Sequence, residues 1–187
     1  KTTLLKLIAG ITTPTPGTIL TRGKVVSLID LEAGFHPDLT GEQNIYLNGM
    51  LLGMERQEIV KKLDAIIRFA DIKQFIDTPL FTYSQGMKLR LGFAVAVHAN
   101  PDILILDEGF SVGDADFQKK SQGKIQEFFR RGKTILIVTH WLDFLKRNCQ
   151  RIVVMENGCI QKDGSTKLLV TYANKEMMSI IGARDML

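Results

Sequence analysis

Adjacent carboxylates, Asp107-Glu108, follow the apolar run Ile103-Leu104-Ile105-Leu106, and His140 follows a second apolar run, 135–138, through Thr139. Side chains delivered to the carboxyl edge of buried strands stand where ligands bind in open α/β sheets. Strand alternation sends two neighbouring carboxylates different ways, so they can divide the work of phosphoryl transfer. Asp107 would hold a magnesium ion through its water shell, and Glu108 would orient and polarise the water that attacks a γ-phosphate. The plainer reading of the pair is an acidic turn at a strand end. His140 is placed to hydrogen-bond a γ-phosphate, although a lone histidine is more often structural. Its separation from Asp107-Glu108 by one helix and one strand predicts strand ends lying side by side. His36 and His98 lack comparable positions and are assigned no chemistry.

Lys1-Thr2-Thr3 matches the last residues of a phosphate-binding loop, G-x-x-x-x-G-K-[ST], whose glycines precede the lysine. At a helix N-terminus Lys1 would reach the β- and γ-phosphates and Thr2 would place its hydroxyl on the magnesium ion. By itself this half-motif carries little weight. Lys1 is not a methionine, so the numbering is expected to start inside a longer protein. Ser84-Gln85-Gly86 opens another helix. A serine there is an ordinary N-cap, but a glycine beside it lets a phosphate approach the backbone N–H groups closely.

The elements that must position these residues alternate between strand and helix. Two strand-like runs, 18–20 and 24–31, follow the first helix across a turn made by Pro14, Pro16 and Gly17, and suggest a small antiparallel flap. From 40 to about 71 the apolar period becomes helical, through Ile59, Leu63, Ile66, Ile67 and Ala70, while 75–82 is irregular around Pro79. A helix over about 84–99 leads through Asn100-Pro101-Asp102 to the strand at 103–106, whose unbroken apolarity predicts burial on both faces, as in a parallel sheet. Phe117, Ile125 and Phe128 give the next helix its apolar face, and 134–138 is another buried strand. After a short helix near 141–147, strands at 152–155 and 159–161 flank Asn157-Gly158, a hairpin turn signal. The pattern is that of a layered α/β fold.

At 187 residues and 45% hydrophobic content the chain can bury one core, with a helical insertion as its default elaboration. The net charge of +4 is spread along the chain, and the short basic clusters Lys61-Lys62, Lys119-Lys120 and Arg130-Arg131 carry no interleaved aromatics to stack bases. Nucleic acid is therefore not an expected partner. Cys149 and Cys159 form no C-x-x-C pair or Cys/His cluster, against zinc and against a disulfide framework. Apolar runs stop short of the roughly 18 to 20 residues of a membrane span. If the protein serves a membrane, another chain must cross it.

Together these residues resemble the ATP-binding subunit of ABC transporters over nearly the whole chain up to about Tyr172. Lys1-Thr2-Thr3 resembles the end of Walker A, 83–87 the signature motif, 103–108 Walker B, Ser111-Val112-Gly113-Asp114 the D-loop, and His140 the switch histidine. A narrower resemblance, to the subfamily that exports O-antigen, teichoic acid and similar polysaccharides, rests on 33–41, on 44–49, on 114–120, and on Tyr-Ser-x-Gly-Met as the signature. The resemblance implies an α/β P-loop NTPase of the ABC type, with an antiparallel β flap and an inserted α-helical subdomain. The expected boundaries are an ATPase domain at 1–172, its helical subdomain at about 40–100, and a tail or the start of an extension at 173–187.

It also implies ATP and Mg2+ as cofactors, Glu108 and His140 as catalytic residues, Thr2 and Asp107 as metal ligands, and Lys1, Thr2, Thr3, Ser84, Gln85, Gly86, Asp107 and Asp114 as nucleotide-binding residues. The implied assembly is a head-to-tail homodimer in which Ser84 and Gly86 contact the γ-phosphate held by the partner. Polytopic membrane subunits would complete the transporter at the cytoplasmic face of the inner membrane, and the polysaccharide would be met only through them. Rival expectations are a soluble ABC-type ATPase acting on ribosomes or DNA, and a catalytically dead fragment that binds nucleotide weakly and folds marginally. Two departures stand out: Asp30-Leu31-Glu32 occupies the segment where the family usually carries a glutamine, with either carboxylate open to that role, and the usual adenine-stacking aromatic would precede Lys1.

Overall fold

The computed structural model describes residues 1–107, 113–139, 142–167 and 179–184. Its chain divides into two compact units: Lys1–Val25, Asp102–Phe110 and Ile125–Leu187 form the first, and Val26–Pro101 with Ser111–Lys124 form the second. Among the described residues the strands make one sheet in the order β1-β2-β3-β6-β4-β5, where β1 is Val25–Ser27, β2 Ile103–Leu106, β3 Thr134–Val138, β4 Arg151–Glu156, β5 Cys159–Ser165 and β6 Ser179–Arg184. β2 and β3 pair in parallel with Ile103 opposite Thr134 and Leu106 opposite Ile137. Leu104, Ile105, Leu106, Ile135 and Ile137 are fully buried, so consecutive side chains on both faces are covered, as their apolarity requires.

The helices of the first unit bury apolar side chains of their own. Helix α1 (Thr2–Ile8) buries Leu5. Ile125, Phe128 and Phe129, from the last turns of α5 (Ala115–Arg130), are buried, as is Leu145 of α6 (Leu142–Asn148). Asn157 and Gly158 both have positive φ, 48° and 80°, the geometry of a type I′ turn, and join β4 to β5 as the Asn-Gly pair predicts. At the other end of the sheet the Asp102 carboxylate accepts hydrogen bonds from the Lys24 backbone N–H and from Lys133 Nζ, both at 2.9 Å. Those donors, the Lys24 N–H first, hold the Asp102 carboxyl below the usual carboxylate range. A depressed folded-state pKa contributes stability that is present above the ordinary value near 3.8 and is lost as pH falls through the folded-state value. Asp102→Asn is thus expected to cost up to about 1 kcal/mol at pH 7, the group being solvent-screened. The deficit should shrink below about pH 4, as measured by urea denaturation across pH 3 to 7.

The second unit carries α2 (Gly41–Leu51), α3 (Arg56–Ala70), α4 (Gln85–His98) and the first turns of α5. Thr40 opens α2 with a reciprocal capping box to Gln43, and α3 ends on Asp71 in the left-handed conformation. Ile45, Ile59, Ile66, Leu91 and Phe93 are fully buried, and Phe69, Phe93 and Phe117 form an aromatic cluster with ring centroids 5.6 to 6.1 Å apart. Single 3-10 turns at Lys73–Phe75 and Leu80–Thr82 flank Pro79, in agreement with the irregular segment expected there.

Two features differ from expectation. Residues 18–20 form no strand, and the run expected at 24–31 is a strand only over Val25–Ser27. Ile19 and Leu20 are exposed, Leu20 by 91%, and three residues without a ladder partner or a buried face have nothing to hold them extended. Ser179–Arg184, in the stretch expected as a tail or extension, lies instead within the sheet. It pairs antiparallel with β3 on one side and β4 on the other, which no local periodicity signals.

Candidate active site

In the first unit, α1 starts at Thr2 with Lys1 as its N-cap, and its first turn carries no acidic residue and no side-chain cap. Thr2 Oγ1 donates a hydrogen bond of 3.0 Å to Asp107 Oδ2 across 105 residues of sequence, so the hydroxyl and the carboxylate meet just beyond the carboxyl end of β2. Both donor atoms are oxygens, which suits a hard cation such as magnesium. Mg2+ is normally held through one or two protein oxygens together with phosphates and water, so the absence of a three-residue metal cluster among the described residues is no obstacle. Thr3 is exposed in the same first turn. The adjacent, parallel pairing of β2 and β3 sets their carboxyl ends side by side, the arrangement that the spacing to His140 predicts. Glu108 and His140 themselves lie outside the described residues.

In the second unit, Ser84 is the N-cap of α4, and its Oγ accepts from Met87 N–H at 3.3 Å. The preceding residue explains the tyrosine of this motif. Tyr83 is buried, and its hydroxyl donates to the Phe75 carbonyl at 2.6 Å, pressing so close to α2 that a Cβ on Gly41 would stand 2.1 Å from that oxygen. Burial raises the Tyr83 phenol above its ordinary value, which keeps it a neutral donor.

The two glycines of α4 have opposite surroundings. A Cβ on Gly92 would stand 2.1 Å from the Leu31 carbonyl oxygen, whereas a Cβ on Gly86 would meet only Ser84 Oγ at 4.0 Å. Gly92 is demanded by packing within the unit. Gly86 is not, although a helical glycine costs about 1 kcal/mol relative to alanine. An open, uncrowded backbone at a helix N-terminus is what an external anion needs.

Asp114 caps α5, its Oδ1 accepting from Phe117 N–H at 2.9 Å. That bond, with Arg90 close by, holds its carboxyl below the usual range. Arg90 stands between Asp71 at 4.0 Å and Asp114 at 3.8 Å, tying α4 to the start of α5. Gln85 donates through Nε2 to Glu32 Oε1. Neither Arg90 nor the Glu32–Gln85 pair is legible in the sequence, where an exposed charge on a helix is usually a solvated one.

An α/β core with a threonine at the start of a helix beside a strand-end aspartate, and a helical unit with a capped serine and an open glycine, defines an ATP-binding cassette. The ABC transporter family model matches residues 1–111, and the chain belongs to that family. It is 47% identical over 99% of its length to an O-antigen export system ATP-binding protein RfbB of Myxococcus xanthus. With an RfbB of Klebsiella pneumoniae it shares 44% identity over 95% of its length, and with the teichoic acids export ATP-binding protein TagH of Bacillus anthracis 43% over 92%. The chain spans 42%, 72% and 31% of these relatives respectively.

Among solved structures, an ATP-binding subunit of an ABC transporter shares the fold with a TM-score of 0.75 at 23% identity, covering 94% of this chain and 76% of that one. A dimeric ATP-binding cassette bound to ADP and Pi shares it with a TM-score of 0.67 at 21% identity, covering 88% and 80%. The α/β ABC ATPase fold expected from the sequence is the fold observed.

Proposed function

We propose that this chain is the ATP-binding and ATP-hydrolysing engine of a transporter that exports a cell-surface polysaccharide across the bacterial inner membrane. The observation that carries the reading is the meeting of Thr2 and Asp107, joined to the similarity to O-antigen and teichoic acid export ATPases. Lys1 would neutralise charge on the β- and γ-phosphates, and the uncapped first turn of α1 would add its N–H groups. Thr2 and Asp107 would hold Mg2+, which when bound shields phosphate charge and lowers the barrier to attack. Glu108 would take up and aim the attacking water, and His140 would hydrogen-bond the γ-phosphate.

Ser84, Gln85 and Gly86 would complete the site on a second copy in a head-to-tail dimer, with Asp114 on the adjoining loop. Phe75, Phe81, Met50, Leu51 and Val60 of the helical unit are exposed, Phe81 by 62%, and would be available to a helix of a membrane subunit. No described helix is long and apolar enough to cross a membrane. The similarity to ATP-binding proteins of export systems supports a role at the cytoplasmic face, on membrane subunits that would carry the polysaccharide.

Gly86→Ala tests the reading because stability and function should separate. Its Cβ meets open space, so the variant is expected to be as stable as the parent or more so, by up to about 1 kcal/mol. In the full-length protein it should nonetheless bind ATP normally, fail to form the ATP-dependent dimer, and leave cells without the surface polysaccharide. A variant that closes and exports like the parent would remove the signature assignment.

A further inference from the structure

Of the carboxylates in 30–32, the two acidic side chains have different occupations. Asp30 Oδ1 accepts the Glu32 backbone N–H at 3.3 Å, a local turn that uses Asp30 within its own loop. Glu32 instead reaches the side-chain amide of Gln85, 53 residues away, the first residue of α4 and the neighbour of Ser84.

The loop that carries Glu32 is fixed to the helical unit at several points. Asn44, fully buried, accepts from His36 N–H at 2.8 Å and donates to the carbonyls of His36, Leu39 and Thr40 at 2.9 to 3.0 Å. Asn48 donates to the Ala33 carbonyl at 2.8 Å. On the other side, the Leu31 carbonyl lies so near α4 that position 92 admits no Cβ. A carboxylate on a loop held this firmly is a fixed point, and a charge-assisted hydrogen bond from it constrains the group it holds.

We propose that Glu32 is a positioning residue for the signature: its carboxylate clamps Gln85 and so sets the direction in which Ser84 and the open N–H groups at Gly86 face the phosphate of a second copy. This rests on the proposed function above. Glu32 touches neither nucleotide nor water in this role. It acts through Gln85, and it divides the labour of the loop between an aspartate that shapes the turn and a glutamate that reaches the helix. Glutamine at this position keeps an acceptor oxygen and loses only the charge assistance.

The test uses the full-length protein and ATP, with four readouts on Glu32→Ala, Glu32→Gln, Gln85→Ala and the Glu32→Ala/Gln85→Ala pair. Glu32→Ala is expected to leave urea stability and ATP affinity of the isolated subunit unchanged, and to weaken ATP-dependent dimer formation and turnover about 10-fold, equivalent to about 1.4 kcal/mol of coupling. Glu32→Gln should recover most of that loss, and the double variant should be no worse than Gln85→Ala alone. Additive losses in the double variant, or a Glu32→Ala protein that closes and turns over normally while Gly86→Ala does not, overturn the clamp and leave the signature reading standing. If Gly86→Ala is also without effect on closure, the signature reading fails and takes the clamp with it.

Discussion

Replacing Glu108 by glutamine in the full-length protein is expected to cut steady-state ATP hydrolysis by about 10²- to 10⁴-fold while ATP still binds, because a positioned proton acceptor contributes roughly that much. In barrier terms this is about 3 to 5 kcal/mol. Glutamine keeps the shape of the side chain and can still hydrogen-bond a water, but it cannot accept the proton that the attacking water must lose. The bound ATP then persists, and with it the closed dimer that Ser84 and Gly86 of the opposing copy would seal. Size-exclusion chromatography with ATP should show the dimer accumulating, and a phosphate-release assay should show turnover collapsing. Unchanged hydrolysis would remove Glu108 from the water-orienting role and leave Asp107, already engaged with Thr2, as the carboxylate after β2 with an assigned role.

Gly92→Ala is expected to destabilise the chain by about 3 kcal/mol or more, beyond the usual overpacking cost, because the obstacle is backbone. The added methyl would stand 2.1 Å from the Leu31 carbonyl oxygen and 2.9 Å from its carbon, and neither can swing away as a side chain would. Either α4 retreats from the loop or the loop's asparagine ties to α2 must yield. The comparison that isolates the cause is Gly123→Ala in α5, where the new Cβ has nothing within 4 Å. There the same substitution should stabilise by up to about 1 kcal/mol through helix propensity alone. Thermal melts of the two variants should therefore move in opposite directions. A Gly92→Ala protein with the parent's melting temperature would show that α4 and the Leu31 backbone do not need their close approach.

The candidate site divides sharply into legible and illegible parts. Thr2 and Asp107 could be chosen from the sequence, the first as part of the half-motif of a phosphate-binding loop and the second because it closes an unbroken apolar run, and the structure brings these two together. The type I′ turn at Asn157-Gly158 was legible for a similar reason, since two successive positive φ values are affordable to few residue pairs. Ser84 was ambiguous between cap and ligand site, and its observed bond to Met87 N–H shows the cap, with the open space at Gly86 supplying the separate argument for a ligand.

What the sequence determined by itself was the order of the helices and of β1 to β5, the burial of β2 and β3 on both faces, and the residue types available at their ends. These depend on neighbours a few positions away, whose period of two or of 3.6 is written into the chain. Tertiary structure alone decided that Thr2 meets Asp107, that Glu32 and not Asp30 reaches Gln85, that Arg90 stands between Asp71 and Asp114, and that Ser179–Arg184 enters the sheet between β3 and β4. Such pairings join residues tens to a hundred positions apart. Their partners are selected by how whole elements pack, a choice that no local pattern of hydrophobicity or charge records.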